Sequence, residues 1–406
     1  MSPAPRQMSL NAFLMATGHH VAGWRHPDAN AAGGLDFEHY RQLARTAERG
    51  CFDAIFLSDT LAMLPGNLDA LGRMARTEHF EPLTLLSALA PVTRHIGLVA
   101  TATTSYNRLD NLVASFASLE RLSAGRSGWN LVTSSNAQEA HNFGRDHHYA
   151  HDRRYETAAS FLRDARQAWQ RMDLAPVQVL AGASEPGKAL AAAHAEMLFT
   201  AQPDLAGAKA FYTDVKARAA MAGRAPDTLK IMPGVMPIVG RTDAEAQVRL
   251  EQLQALVDPR VGLSLLSDIA GGLDLASFPL DGPLPALPPT QSGVSRRHLL
   301  LEVAEREGLS IRALYLRMAL ARGHHVLVGS PRTIADGLEH WFREGAADGF
   351  NVMPPYLPGG LEDFVELVVP ELQRRGLFRR RYAGTTLRDH LGLPTSHVAQ
   401  GEPTHV

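Results

Sequence analysis

HIGLVATATTSYNRLDNLVASFASLERLSAGRSGWNLVTS, residues 95–134, is the stretch on which the fold turns. Two apolar runs, HIGLVATAT and SGWNLVTS, enclose an amphipathic helical segment. Each run is continuously apolar rather than alternating, as a strand covered on both faces must be. Strand, helix, strand in that order is the repeating unit of a parallel sheet.

The same alternation extends in both directions. Upstream lie SLNAFLM (residues 9–15), a long loop carrying His19, His20 and Trp24, a helix-like segment over Phe37–Arg49, and DAIFLSD, which ends at Asp59. A loop with Pro65 and Gly66 follows, then a helix across Glu81–Ala90. Downstream lie PVQVLAGAS (176–184), EMLFTAQ (196–202) and LKIMPGVMPIVG (229–240), each followed by helical pattern. The last run, DGFNVMPP (348–355), comes after a helix opened by Ser330 and Pro331, a serine N-cap with proline at the first helical position. Eight such runs in sequence predict an α/β protein closed as a (β/α)8 TIM barrel, one domain over residues 1–406. The largest insertion falls between strands seven and eight, over 247–329, and a C-terminal extension spans 376–406. FPLDGPLPALPPTQSG (278–293) is too rich in proline and glycine for regular structure, so the insertion is expected to be a loop or arm over the barrel mouth.

Composition excludes several functions. With 40 Lys and Arg against 42 Asp and Glu, the chain has no basic footprint for nucleic acid. Arg379, Arg380 and Arg381 form a short run at the end of a helical pattern and read as a solvated helix terminus. A single cysteine, Cys51, rules out internal disulfides and thiolate metal clusters, and its setting before an apolar run predicts a buried inert thiol. No signal peptide and no membrane-length apolar stretch is visible, so a cytoplasmic protein is expected.

In a TIM barrel the chemistry sits where strands end. Those ends supply Asp59, Thr101, Thr103, Asn130, Thr133 and Ser184, polar but without a matched acid–base pair. HExxH, GxSxG and Walker signatures are all absent, which points to a cofactor as the carrier of the chemistry. In AGASEPG (181–187), Ser184 and the helix after it would suit a phosphate, although an ordinary N-cap serine explains the same residues more simply. His151 and Tyr155 in HDRRY share one helix face and could donate to a phosphate or a ring edge, or merely pack together. The pairs His19-His20, His147-His148 and His324-His325 do not predict a metal, because adjacent side chains point apart and no carboxylate stands beside them at ligand spacing.

Taken together, GHHVAGWRHP, FDAIFLSDTLA, EPLTLL, GLVATATTSYN, LSAGRSGWNLVTS, NFG, HDRRY and AGASEPG resemble the nitrilotriacetate and dibenzothiophene-sulfone monooxygenase type within the bacterial luciferase-like flavin barrels. VLVGSPRTIADGLEHWFREGAADGFNVMPP, LPGGLEDFVELVVPELQRRGLF and GTTLRDHLGLP extend the resemblance to Pro394. It implies an oxygenase component that receives FMN as FMNH2 from a separate NAD(P)H:flavin reductase. With O2 and through a flavin peroxide, such an enzyme oxygenates a small organic substrate. It further implies FMN contacts at Asp59, Thr101, His151, Tyr155 and Ser184, with Asn130 at the same mouth, and a homodimer or homotetramer. A deazaflavin-dependent relative and a non-catalytic FMN-binding barrel are the alternatives. One departure stands out: only RMDLAPVQVL separates Gln170 from Ala181, where relatives carry a few dozen residues. That segment is expected near the mouth, so a missing lid is one reading.

Overall fold

In the computed structural model, β1 (Ser9–Leu14), β2 (Ala54–Leu57), β3 (Gly97–Thr103), β4 (Ser127–Val132), β5 (Val177–Ala181), β6 (Met197–Thr200) and β7 (Lys230–Val239) pair in order, all parallel. β8 (His325–Gly329) runs beside β7, and β9 (Gly349–Val352) pairs with both β7 and β1, which closes an eight-strand ring. The structure describes residues 6–63, 68–75, 77–134, 136, 138–270, 272–287, 301 and 304–394. Pro65, Gly66 and the end of the proline-rich stretch lie outside them.

Every expected strand is present, the eighth being β9. The ninth, β8, was not expected: its VLVG run falls inside the segment read as insertion. β7 has ten residues against four in β6 and four in β9, so its upper half would be an open edge. β8 covers that edge, pairing Val235–Val239 with His325–Gly329.

The insertion is also more ordered than a loop. It holds helices Asp243–Ala255, Pro259–Ile269 and Ile311–Ala321. The last two share a separate apolar cluster in which Leu266, Ile311, Leu314 and Tyr315 pack with Val21 and Leu71 from the loops after β1 and β2. The insertion thus sits on the C-terminal side of the barrel as a helical unit. Residues 278–287 within it carry no helix or strand, as their prolines require.

The opposite end is closed by the C-terminal extension. Leu387, Leu391 and Leu393 join Ala54, Val99 and Val177 in the cluster that fills the barrel. A Cβ on Gly97 would stand 2.5 Å from a Leu387 methyl, so glycine there admits the plug. Arg388 binds Glu196 at 2.6 Å with both side chains buried, and the His390 ring lies 2.7 Å from the His95 carbonyl. Arg379 corrects the reading of its basic run: it reaches Asp53, wholly buried, at 2.5 Å, and only Arg380 and Arg381 are exposed. Cys51 is buried, and burial pushes its thiol pKa up.

The short stretch after Gln170 proves to lie at this same closed end. Helix His151–Arg171 descends from the strand C-termini and turns at once into β5, with the Leu174 N–H on the Trp169 carbonyl at 3.0 Å. The Ala175 carbonyl accepts from Arg388 of the plug at 3.5 Å. In this chain the short connection itself therefore lies away from the mouth.

Candidate active site

An aromatic layer closes the barrel interior just below the strand C-termini. Phe13, Phe56 and Phe199, each next to last in its strand, meet at centroid distances of 4.8, 5.3 and 5.6 Å. His19 stands on Phe13 at 4.4 Å, and His324 stacks on Phe199 at 5.2 Å. Its neighbour His325 stacks instead on Trp341 outside the ring, which is why the doublet cannot act as one ligand pair.

Polar groups ring this layer. Thr101 and Asn130 are register partners on β3 and β4, and the Asn130 Nδ2 donates to Thr101 Oγ1 at 2.8 Å. Asn130 Oδ1 is buried without a hydrogen-bond partner among the described residues, a state that costs stability unless a donor arrives. Ser184 caps helix Glu185–His194, accepting the Gly187 N–H at 3.3 Å, and the Tyr155 hydroxyl lies 3.0 Å from the same Ser184 oxygen. Ser184 is thus the ordinary N-cap that its sequence offers, and it also meets a second hydroxyl at a positive helix end.

The loop before that helix is open at Gly182 and tightly packed at Gly187. Gly182 takes φ +139°, and a Cβ there would meet nothing within 4 Å. At Gly187 a Cβ would crowd Ser184 Oγ at 3.0 Å and the Tyr155 hydroxyl at 3.3 Å. Glu185 in the first turn would oppose an anion, but it is exposed and paired with Arg218 at 2.7 Å. His151 opens the Tyr155 helix, and its side chain lies outside the described residues.

Asp59 follows β2 and accepts the Thr60 backbone N–H at 2.9 Å. Burial pushes its pKa up to about 6, against the opposing pull of the Thr60 N–H and His79. Glu81 and Glu139 add to the rise. Asp59 bonds to Thr60 while the Tyr155 hydroxyl faces Ser184, so the expected residues form two groups on one rim.

Several mouth residues were missed by the sequence reading. Tyr106, after β3, places its hydroxyl 2.5 Å from His148 Nδ1 and stacks on Phe143 at 4.6 Å. Glu139 is buried in a short helix after β4. Nothing in spacing marks these residues, since each reaches the mouth through a loop; only a buried acid within a polar loop hints at Glu139. Among the described residues no three His, Cys, Asp or Glu side chains stand where they could hold a metal ion. No helix there is long and apolar enough to cross a membrane.

A polar rim above an aromatic layer at the C-terminal face of a TIM barrel is the usual place for a ligand site in this fold. A family model described as luciferase-like monooxygenase matches residues 13–349, so the chain belongs to that family. It is a flavin-dependent monooxygenase. Nitrilotriacetate monooxygenase component A of Aminobacter aminovorans is 44% identical, with 98% of this chain and 99% of that protein covered. N-acetyl-S-(2-succino)cysteine monooxygenase of Bacillus subtilis is 43% identical, covering 97% and 98%. The crystal structure of DmoA from Hyphomicrobium sulfonivorans superposes with a TM-score of 0.85 at 29% identity, over 95% of this chain and 92% of that one. The first alignment spans 449 positions, more than the 406 residues here, so that relative carries positions this chain lacks.

Proposed function

We propose that this chain is the oxygenase component of a two-component system, using FMNH2 from a separate NAD(P)H:flavin reductase to put one atom of O2 into a small organic substrate. The convergence of Tyr155 and Ser184 on a helix N-terminus, beside the open Gly182 loop, supports this reading. Those hydroxyls and the first-turn N–H groups would hold one phosphate, which favours FMN over a dinucleotide. The His151 side chain is assigned to the same phosphate from its motif. The unpartnered Asn130 Oδ1 would accept from the ring edge, with Thr101 and Asp59 orienting it. When bound, reduced flavin supplies the oxygen-activating chemistry. The protein's own part is to bind, orient and exclude water, which the aromatic layer below and the helical unit above both serve.

The chain has no GxGxxG fingerprint for a nicotinamide dinucleotide. The protein with FMN and NADH is therefore expected to consume no oxygen, and an unrelated flavin reductase should restore turnover with a true substrate. NADH oxidation by this chain alone would overturn the two-component reading. Equal affinity for FAD and FMN would overturn the single-phosphate cradle. Relatives are named for nitrilotriacetate, dibenzothiophene sulfone and dimethyl sulfide, so an oxygen-uptake screen of amino-polycarboxylates, sulfones and thioethers addresses the substrate.

A further inference from the structure

Helix Gln138–Asn142 buries a carboxylate that the cofactor reading leaves unused. Glu139 is 4% exposed; its Oε1 lies 3.2 Å from the Thr60 hydroxyl, whose single proton is also within reach of the Ala62 carbonyl at 3.1 Å, and its Oε2 is buried with no hydrogen-bond partner among the described residues. The same Thr60 gives its backbone N–H to Asp59 Oδ1 at 2.9 Å. Thr60 therefore stands between two carboxylates, one after β2 and one in the short helix after β4, with its hydroxyl shared between Glu139 and the Ala62 carbonyl. A buried carboxylate oxygen without a donor is costly, and its retention at the mouth calls for a role.

We propose that Asp59, Thr60 and Glu139 form the proton-exchanging device of this active site, with Asp59 as the group that gives and takes the proton and Glu139 as its positioning residue. The proposal rests on the mouth being the flavin site. Glu139 acts on Asp59 through Thr60 and through its own charge, which disfavours a second negative charge nearby. The other groups facing the pair are His79 and Glu81 from the segment before helix Pro82–Leu89. Tyr106 lies on the Glu139 side, with Arg145 and Arg154 beyond it. Together with burial, the acidic neighbours bring the Asp59 pKa up to about 6, where a carboxyl can serve as acid and as base near neutral pH. In the step itself the Asp59 O–H bond breaks and its proton passes to a basic oxygen or nitrogen of the bound ligand. Asp59 regains a proton from water, which reaches the adjacent exposed Ser58. No electrons move at these residues.

The test uses the apoprotein, with isotope-labelled aspartate carboxyls followed by NMR across the acid-to-neutral range. Wild type should show one carboxyl with a midpoint of about 6, absent in Asp59→Asn. Glu139→Gln should move that midpoint measurably down, by less than burial itself contributes. An Asp59 midpoint at the ordinary 3.8 overturns the proposal, as does a folded Glu139→Gln protein with an unmoved midpoint. If Glu139→Gln does not fold, the wild-type midpoint and the reductase-coupled kcat of Asp59→Asn decide. A wild-type inflection in kcat against pH that Asp59→Asn retains overturns the proposal, and one that it loses supports it. Where Glu139→Gln folds, its kcat inflection should move with the NMR midpoint while substrate KM stays, a pattern that a purely structural role would not produce. Because the NMR titration needs no flavin, its failure leaves the FMN reading standing, and loss of FMN binding with the titration intact does the reverse.

Discussion

The two ends of this barrel differ in how they partner buried charge, although burial raises the Asp53 carboxyl pKa at one end as it raises that of Asp59 at the other. At the N-terminal end, Arg388 meets Glu196 and Arg379 meets Asp53, each pair made between the C-terminal extension and the barrel. Burial alone would raise the Glu196 carboxyl, yet Arg388 overrides it and holds the group below the usual carboxylate range. At the C-terminal end, Asn130 Oδ1, Glu139 Oε2 and Arg154 Nε are buried with no hydrogen-bond partner, and Asp59 has no cation paired with it at salt-bridge distance among the described residues. The ion pairs of the first arrangement close within the fold, although His95 Nδ1, Gln178 Oε1 and His390 Nδ1 at that end also lack a partner among the described residues; the second leaves a carboxylate and a guanidinium atom without one. If the mouth is the cofactor site, stability and function should separate along the barrel axis, and each prediction tests that separation.

The largest effect should come from the closed end. Removing one member of a buried pair leaves an uncompensated charge and costs about 3–5 kcal/mol. Arg388→Met should therefore lower the melting temperature sharply, while the protein that remains folded binds FMN with wild-type affinity. A change in FMN Kd comparable to a mouth substitution would break the separation.

The mouth should show the converse. A hydrogen bond to a charged group is worth about 1.5–3 kcal/mol, so Tyr155→Phe should weaken FMN binding roughly tenfold or more and leave the apoprotein melting temperature nearly unchanged. Ser184→Ala should match that loss of affinity but also destabilise the apoprotein by about 1 kcal/mol, because the hydroxyl caps helix Glu185–His194. Calorimetry on the two variants, with and without FMN, separates the cap from the cradle. Unchanged affinity in both would leave Ser184 as a cap and nothing more.

The difference between the ends also explains what could be read from the sequence. Buried strands write themselves as apolar runs, so the ring and its order were legible; Thr101 and Asn130 lie within β3 and β4, whereas Ser184 falls three residues past β5 as a helix N-cap. β8 was not legible, because the need for it arises from the length of β7 relative to its neighbours rather than from its own composition. The plug was hidden for a similar reason: Arg379 and a solvated arginine look alike until Asp53 is known to lie beneath it. Glu139 and Tyr106 reach the mouth through loops, where no period reports which way a side chain points.

Acid should act unevenly on the molecule. Burial lowers the pKa of His194, His325 and His390 to about 4, with Arg166 adding to the effect at His194 and Arg379 at His390. The unfolded chain would take protons on these rings near 6.5, before the folded one does. Their contribution is thus present above pH 6.5 and is lost as pH falls toward 4. Apoprotein melting temperature should decline over that window, and His390→Asn should reduce the slope without touching FMN affinity. A flat profile would mean that these rings are solvated.

Asp59 has the opposite sign. Its folded pKa is raised from 3.8 to about 6, so the folded protein binds this proton more tightly than the unfolded chain does. The resulting stabilisation is full below 3.8 and is lost as pH rises through about 6, which leaves an ionised, half-buried carboxylate as a cost at neutral pH. Because the group is partly open to solvent, that cost is about 1 kcal/mol rather than the full value of the shift. Asp59→Asn should therefore raise the apoprotein melting temperature slightly at pH 7 and lose that advantage in acid, while reductase-coupled oxygenation falls. Such a gain in stability paired with a loss of turnover is the mark of a group kept for its chemistry at the expense of the fold. A variant that is destabilised at pH 7 would place Asp59 among the structural carboxylates of the opposite end.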